Sequence, residues 1–136
     1  MGSATLRFGL LPDEGGQFLL VQMMGVAKTM DFLMRKRIVP ASEALALGLV
    51  HEVVAEEQLL PRALELAREL ANGPQAAMRM LKRSIYNAAE MTFPQSLDEI
   101  ASKTAVTDHH PDAVEGIKAF QEKRPPRFNQ WLEARK

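Results

Sequence analysis

The 136-residue chain contains no cysteine. That excludes a disulfide framework, a thiol nucleophile and any cysteine-ligated metal. It has no excess of either charge: 17 Lys and Arg balance 17 Asp and Glu. A formal net charge of zero argues against a strongly electrostatic partner such as a nucleic-acid backbone. Its three histidines, His51, His109 and His110, have no HExxH-type spacing, and no metal site is expected. No apolar run is long enough to span a bilayer, and Met1-Gly2-Ser3 has neither the basic region nor the apolar stretch of a signal peptide. A soluble intracellular protein is the expectation. Internal repeats and low-complexity segments are also missing.

What is present reads as helix almost throughout. Apolar residues recur at helical spacing over Gln17–Met24, Val26–Lys36, Glu56–Ala71, Gln75–Glu90, Phe93–Val106 and Pro111–Lys123. Pro40 opens a shorter helix over Ala41–Leu47, and Gly25 and Gly48 supply stop signals. Leu59, Leu60, Ala63, Leu66, Ala67 and Leu70 form one amphipathic stripe. Leu49–Val54 is short, β-branched and bounded by glycine, so it is the best strand candidate in an all-α chain with a strand or two. A short helix around Trp131 closes the chain. The eight methionines suit adaptable packing surfaces, with Met23, Met24, Met30 and Met34 expected in a core or a subunit contact.

The densest chemistry lies in Phe8-Gly9-Leu10-Leu11-Pro12-Asp13-Glu14-Gly15-Gly16. Two adjacent carboxylates sit between a proline turn and a glycine pair, just before an apolar helix. A carboxylate held in such a turn can act as a general base. It can equally cap the following helix, where the helix dipole favours an acid. The residues alone leave both readings open.

Four signatures occur in order: Gly9–Gly16, Pro40–Val50, Pro74–Lys82 and Glu115–Arg124. Together they resemble the C-terminal half of the crotonase superfamily, the enoyl-CoA hydratase/isomerase family. The resemblance implies a mainly α fold: the C-terminal helical portion of a crotonase-like (ClpP/crotonase) fold with a short β remnant. Residues 1–25 would be the end of the core, with the active-site turn and its helix. Residues 26–136 would be a C-terminal helical oligomerisation region. In the hydratase pattern a catalytic glutamate precedes the glycine matching Gly9 by four residues, and that position here is Thr5. In several isomerase branches an acid directly follows the proline of the turn, and that position is Asp13. The pattern is therefore closest to the isomerase branch. Asp13 would be the base, its pKa raised by burial beside the acyl chain, with Glu14 the alternative.

The same resemblance assigns substrate contacts to Gly15, Gly16, Phe120 and Lys123. The last two correspond to an aromatic ring and a lysine that touch the adenine and phosphates of CoA. Read as residues alone, Phe120 is a core ring and Lys123 a solvated charge. The implied partner is an acyl-CoA thioester, bound as substrate with no further cofactor, in a trimer or hexamer located in the cytoplasm or in a mitochondrion or peroxisome. The family's oxyanion-hole donors lie in its other half, so this chain is expected to be inactive alone. The alternative is a non-catalytic helical module for oligomerisation or acyl-CoA binding.

Overall fold

The structure is a computed structural model that describes residues 1–12 and 16–133. The chain divides into two compact units, Met1–Leu59 and Leu60–Lys136. The elements are a 3-10 turn at Thr5–Phe8 followed by α1 (Gly16–Met24), α2 (Val26–Met34), α3 (Ala41–Ala46), α4 (Glu56–Asn72), α5 (Gln75–Ala88), α6 (Phe93–Thr107), α7 (Pro111–Gln121) and α8 (Gln130–Glu133). The mainly α reading holds, with helix ends shifted by one or two residues from the periodicity.

In the first unit, Phe32, Leu33, Val39 and Ala44 form the buried core, and Leu20, Met24, Leu47, Leu49 and Val50 pack against it. Gly25 joins α1 to α2 with φ 77° and ψ 167°, a conformation open only to glycine. In this unit α2 and α3 end in the same hydrogen-bonded cap. After α3, Gly48 N–H donates to Leu45 O and Leu49 N–H to Ala44 O, with Gly48 left-handed. After α2, Lys36 takes that left-handed place (φ 53°) and donates to Leu33 O, while Arg37 N–H donates to Phe32 O. Arg37 also pairs with Asp31 at 3.2 Å and with Glu43, tying α2 to α3.

The strand expected at Leu49–Val54 does not form. Leu49 N–H is spent on the α3 cap, and Leu49 and Val50 serve instead as packing for the core. Among the described residues, β pairing is confined to an isolated antiparallel bridge between Gly2 and Ile38. Val39 N–H donates to Met1 O at 2.8 Å beside it. A Cβ on Gly2 would stand 2.6 Å from Arg37 O, so this approach needs glycine.

In the second unit, α5 packs on α6 around a polar cluster. Glu99 accepts from Ser84 Oγ at 2.9 Å, from Asn87 Nδ2 at 3.1 Å and from Lys103. Lys103 in turn donates to Ser84 Oγ at 2.9 Å. The Lys103 ammonium is the main reason the Glu99 carboxyl sits below its ordinary pKa. The α4 stripe expected from the periodicity forms, but its leucines Leu59, Leu60 and Leu70 stay exposed. Met23, Met30 and Met34 are likewise exposed, and only Met24 of that set joins the core. No helix among the described residues is long and apolar enough to cross a membrane.

Candidate acyl-CoA site

The approach to the acidic turn is built by the 3-10 turn at Thr5–Phe8. Gly9 follows it with φ 70°, and its N–H donates to Leu6 O while Leu10 N–H donates to Thr5 O. This left-handed residue turns the chain so that Leu10 and Leu11 point to solvent and Pro12 is buried. Thr5 is half-buried, with its hydroxyl 3.3 Å from Ser3 Oγ. Asp13, Glu14 and Gly15 lie outside the described residues. Gly16 begins α1 half-buried, and a Cβ there would meet no protein atom within 4 Å.

The second set of expected residues lies in the other unit, at the end of α7. Phe120 is 86% exposed, so it is not the core ring that its residue type suggested. Its neighbour Ala119 is 1% exposed and faces inward, which places Phe120 past the edge of the buried face. Lys123 follows with φ 54°, and caps α7 by donating to Phe120 O at 3.2 Å, while Arg124 N–H donates to Ala119 O. An exposed ring and an exposed ammonium therefore share one turn of chain. Gly16 belongs to the first unit, and Phe120 and Lys123 to the second.

Three residues that sequence reasoning passed over join α7 to the chain that returns along it. Asp112, 6% exposed, accepts from Asn129 N–H at 2.7 Å through Oδ1 and from Trp131 Nε1 at 3.1 Å through Oδ2. Glu115 accepts from Nη1 and Nη2 of Arg124, at 2.6 and 3.0 Å, and from the backbone N–H of Arg127 at 2.7 Å. These donors, Arg124 first, hold its carboxyl down at about 2. Asn129 extends the network by accepting from Gln75 N–H at 3.1 Å and donating to Gly73 O at 2.9 Å. Their trace in the sequence is a pair of acids three apart on one helix, but the arginines follow too far along for charge spacing to assign a contact.

His110 serves α7 as a cap: its Nδ1 accepts from Asp112 N–H at 3.2 Å, and its ring meets Trp131 edge-on at 5.1 Å. Among the described residues, no group of three or more His, Cys, Asp or Glu could hold a metal ion.

The enoyl-CoA hydratase/isomerase family profile matches residues 1–131. A Mycobacterium leprae protein named "Probable enoyl-CoA hydratase" is 36% identical over 130 residues, 93% of this chain and 49% of its own length. A carnitinyl-CoA dehydratase of Escherichia coli O157:H7 is 36% identical over 126 residues, 88% of this chain and 48% of its own. Among solved structures, an enoyl-CoA hydratase from Polaromonas sp. JS666 superposes with a TM-score of 0.86 at 30% identity, covering 93% of this chain and 49% of that one. An enoyl-CoA hydratase from Bacillus anthracis gives 0.87 at 29% identity, over 92% and 48%. The chain thus spans about half the length of the relatives it matches, and its structural neighbours are crotonase-fold enzymes. The chain belongs to the enoyl-CoA hydratase/isomerase family.

Proposed function

We propose that this chain supplies the carboxylate half of an acyl-CoA site that moves a double bond rather than adding water across it. In this reading Asp13 removes a proton from the carbon between the thioester and the double bond of a 3-enoyl-CoA. The electron pair shifts into a dienolate, and the same carboxylate returns the proton two carbons further along. Glu14 is the alternative base. Gly15 and Gly16 pass close to the acyl chain, and Phe120 and Lys123 touch the CoA moiety. The substrate brings its own CoA, and no further cofactor takes part.

The observation that carries the preference is Thr5 standing where the hydratase pattern has its glutamate, while Asp13 follows the proline of the turn. A threonine hydroxyl is no substitute for a carboxylate base near neutral pH. The named relatives are hydratases and a dehydratase, so the substrate comparison is the decisive test. Both activities are measured on a form carrying both halves of the fold, and double-bond transfer is expected to exceed hydration. Asp13→Asn is expected to abolish transfer, by roughly a hundredfold or more, while CoA binding persists. Hydration exceeding transfer overturns the preference. An active Asn variant moves the base to Glu14. The 136-residue chain by itself is expected to turn over neither substrate, because the family's oxyanion-hole donors lie in the other half.

A second reading, a non-catalytic helical module that assembles through its exposed faces, is favoured by the uncovered leucines of α4. It predicts self-association at micromolar concentration by sedimentation.

A further inference from the structure

The face of α7 that carries Asp112, Glu115, Gly116 and Ala119 repeats at three- and four-residue spacing and is covered by the chain's own return, residues 124–131. Glu115 grips the near end of that return through Arg124 and Arg127 N–H. Asp112 grips the far end through Asn129 N–H and Trp131 Nε1. Between the two, the ring of Phe128 lies 3.4 Å from where a Cβ on Gly116 would stand, so the return lies directly against α7. The turn that joins α7 to this return is the one bearing Phe120 and Lys123.

Within the turn itself the ties are local: the backbone cap bonds from Lys123 N–H to Phe120 O and from Arg124 N–H to Ala119 O, and the Arg124–Glu122 pair. Phe120 projects into solvent and Lys123 is exposed. The backbone at Lys123 is left-handed, a conformation that disfavours a residue with a Cβ. A strained turn persists only where its surroundings over-determine it.

We propose that Asp112 and Glu115 are positioning residues for coenzyme A recognition. They clamp the return to α7 and so fix the Phe120–Lys123 turn before the ligand arrives. Presenting a ring and a cation in a set geometry removes an ordering cost that binding would otherwise carry. This inference rests on the reading of Phe120 and Lys123 as CoA contacts.

The test is an NMR titration of free coenzyme A into the full 136-residue chain, run to millimolar ligand. Phe120→Ala and Lys123→Ala test the reading itself. Glu115→Gln and Asp112→Asn are expected to weaken binding by about tenfold without altering any group that touches the ligand. Glu115→Asp, which keeps the carboxylate, is expected to recover part of the loss. Glu99→Gln removes a comparable ion pair elsewhere in the same unit and is expected to bind like the wild type. Far-ultraviolet circular dichroism, which reads the helices and not the Trp131 contact, reports whether each variant is folded.

Failure of the wild type to bind, or unchanged binding by both alanine variants, overturns the CoA reading and the clamp's role with it. Weakened alanine variants alongside unchanged Glu115→Gln and Asp112→Asn overturn the positioning role alone. Equal losses in Glu99→Gln and Glu115→Gln also overturn it, since stability would then explain both.

Discussion

Around Phe32, Leu33, Val39 and Ala44, the first unit buries apolar side chains against one another. Around Asp112, the second unit buries a carboxylate and surrounds it with donors. The first arrangement is non-directional and depends on volume. The second is directional, because each bond needs its partner at the right distance and angle. The difference suits what each region carries. An apolar core supports a turn wherever the chain folds back, whereas a hydrogen-bonded clamp fixes one particular loop conformation. The second unit also leaves Val114, Ile117 and Phe120 of α7 exposed, so its order owes more to polar geometry than to enclosure.

The most severe way to break the comparison is to empty the apolar core. Phe32 is 3% exposed and touches both α2 and the segment leading into α3 through its cluster. Phe32→Ala is expected to cost about 3–5 kcal/mol in denaturant unfolding followed by circular dichroism. A loss below about 1 kcal/mol would show that the first unit is not held by this cluster.

Asp112→Ala is expected to cost about 2–3 kcal/mol, because it removes the carboxylate that accepts from Asn129 N–H and Trp131 Nε1. It should also change Trp131 emission, whereas Phe32→Ala should leave the emission of the folded protein unchanged. If Asp112→Ala unfolds at the wild-type midpoint, the polar clamp contributes nothing and the contrast between the units fails.

Acid sharpens the comparison further. Glu115 is held near 2 chiefly by Arg124, against an ordinary 4.5, and Glu99 is lowered chiefly by Lys103. A lowered folded-state pKa stabilises above the unfolded value and is lost as pH falls through the folded one. Unfolding followed by Trp131 should therefore weaken from about pH 4.5 toward pH 2, and Glu115→Gln should flatten that decline. Asp31 in the first unit is lowered in the same direction, chiefly by Arg35, so acid should touch that unit too, while leaving its apolar core intact. A decline as steep in Glu115→Gln as in the wild type would remove Glu115 from the account.

These contrasts also explain what could be read from the residues. Helical periodicity located seven of the longer and shorter helices because each has an apolar stripe or a proline start, as at Pro40 and Pro111. It misread Leu49–Val54, since β-branching says nothing of whether a partner strand exists or whether Leu49 N–H is already committed to a cap. Periodicity also cannot say whether a stripe is covered, and the leucines of α4 and Phe120 proved exposed. The clamp was illegible for another reason. Asp112 meets Trp131 across 19 residues and Glu115 meets Arg124 across nine, and charge spacing beyond one helical turn carries no contact information. The proposed base, Asp13, was readable only by resemblance to a family turn.

The smallest expected effect compares the two units at one shared motif. Lys36 closes α2 and Lys123 closes α7, both in the left-handed cap position that Gly48 fills after α3. Glycine takes this conformation without the Cβ penalty, although it loses more entropy on folding, so the net gain is modest. Lys36→Gly and Lys123→Gly are each expected to stabilise the chain by about 0.5–1 kcal/mol in thermal unfolding. Their ligand behaviour should then diverge. Lys36→Gly should leave coenzyme A binding unchanged, because nothing assigns that side chain to the ligand. Lys123→Gly should gain stability and lose affinity together, the signature of a residue kept for what it contacts rather than for how it folds. Gains in stability with unchanged affinity for both variants would show Lys123 to be a cap like Lys36 and no more.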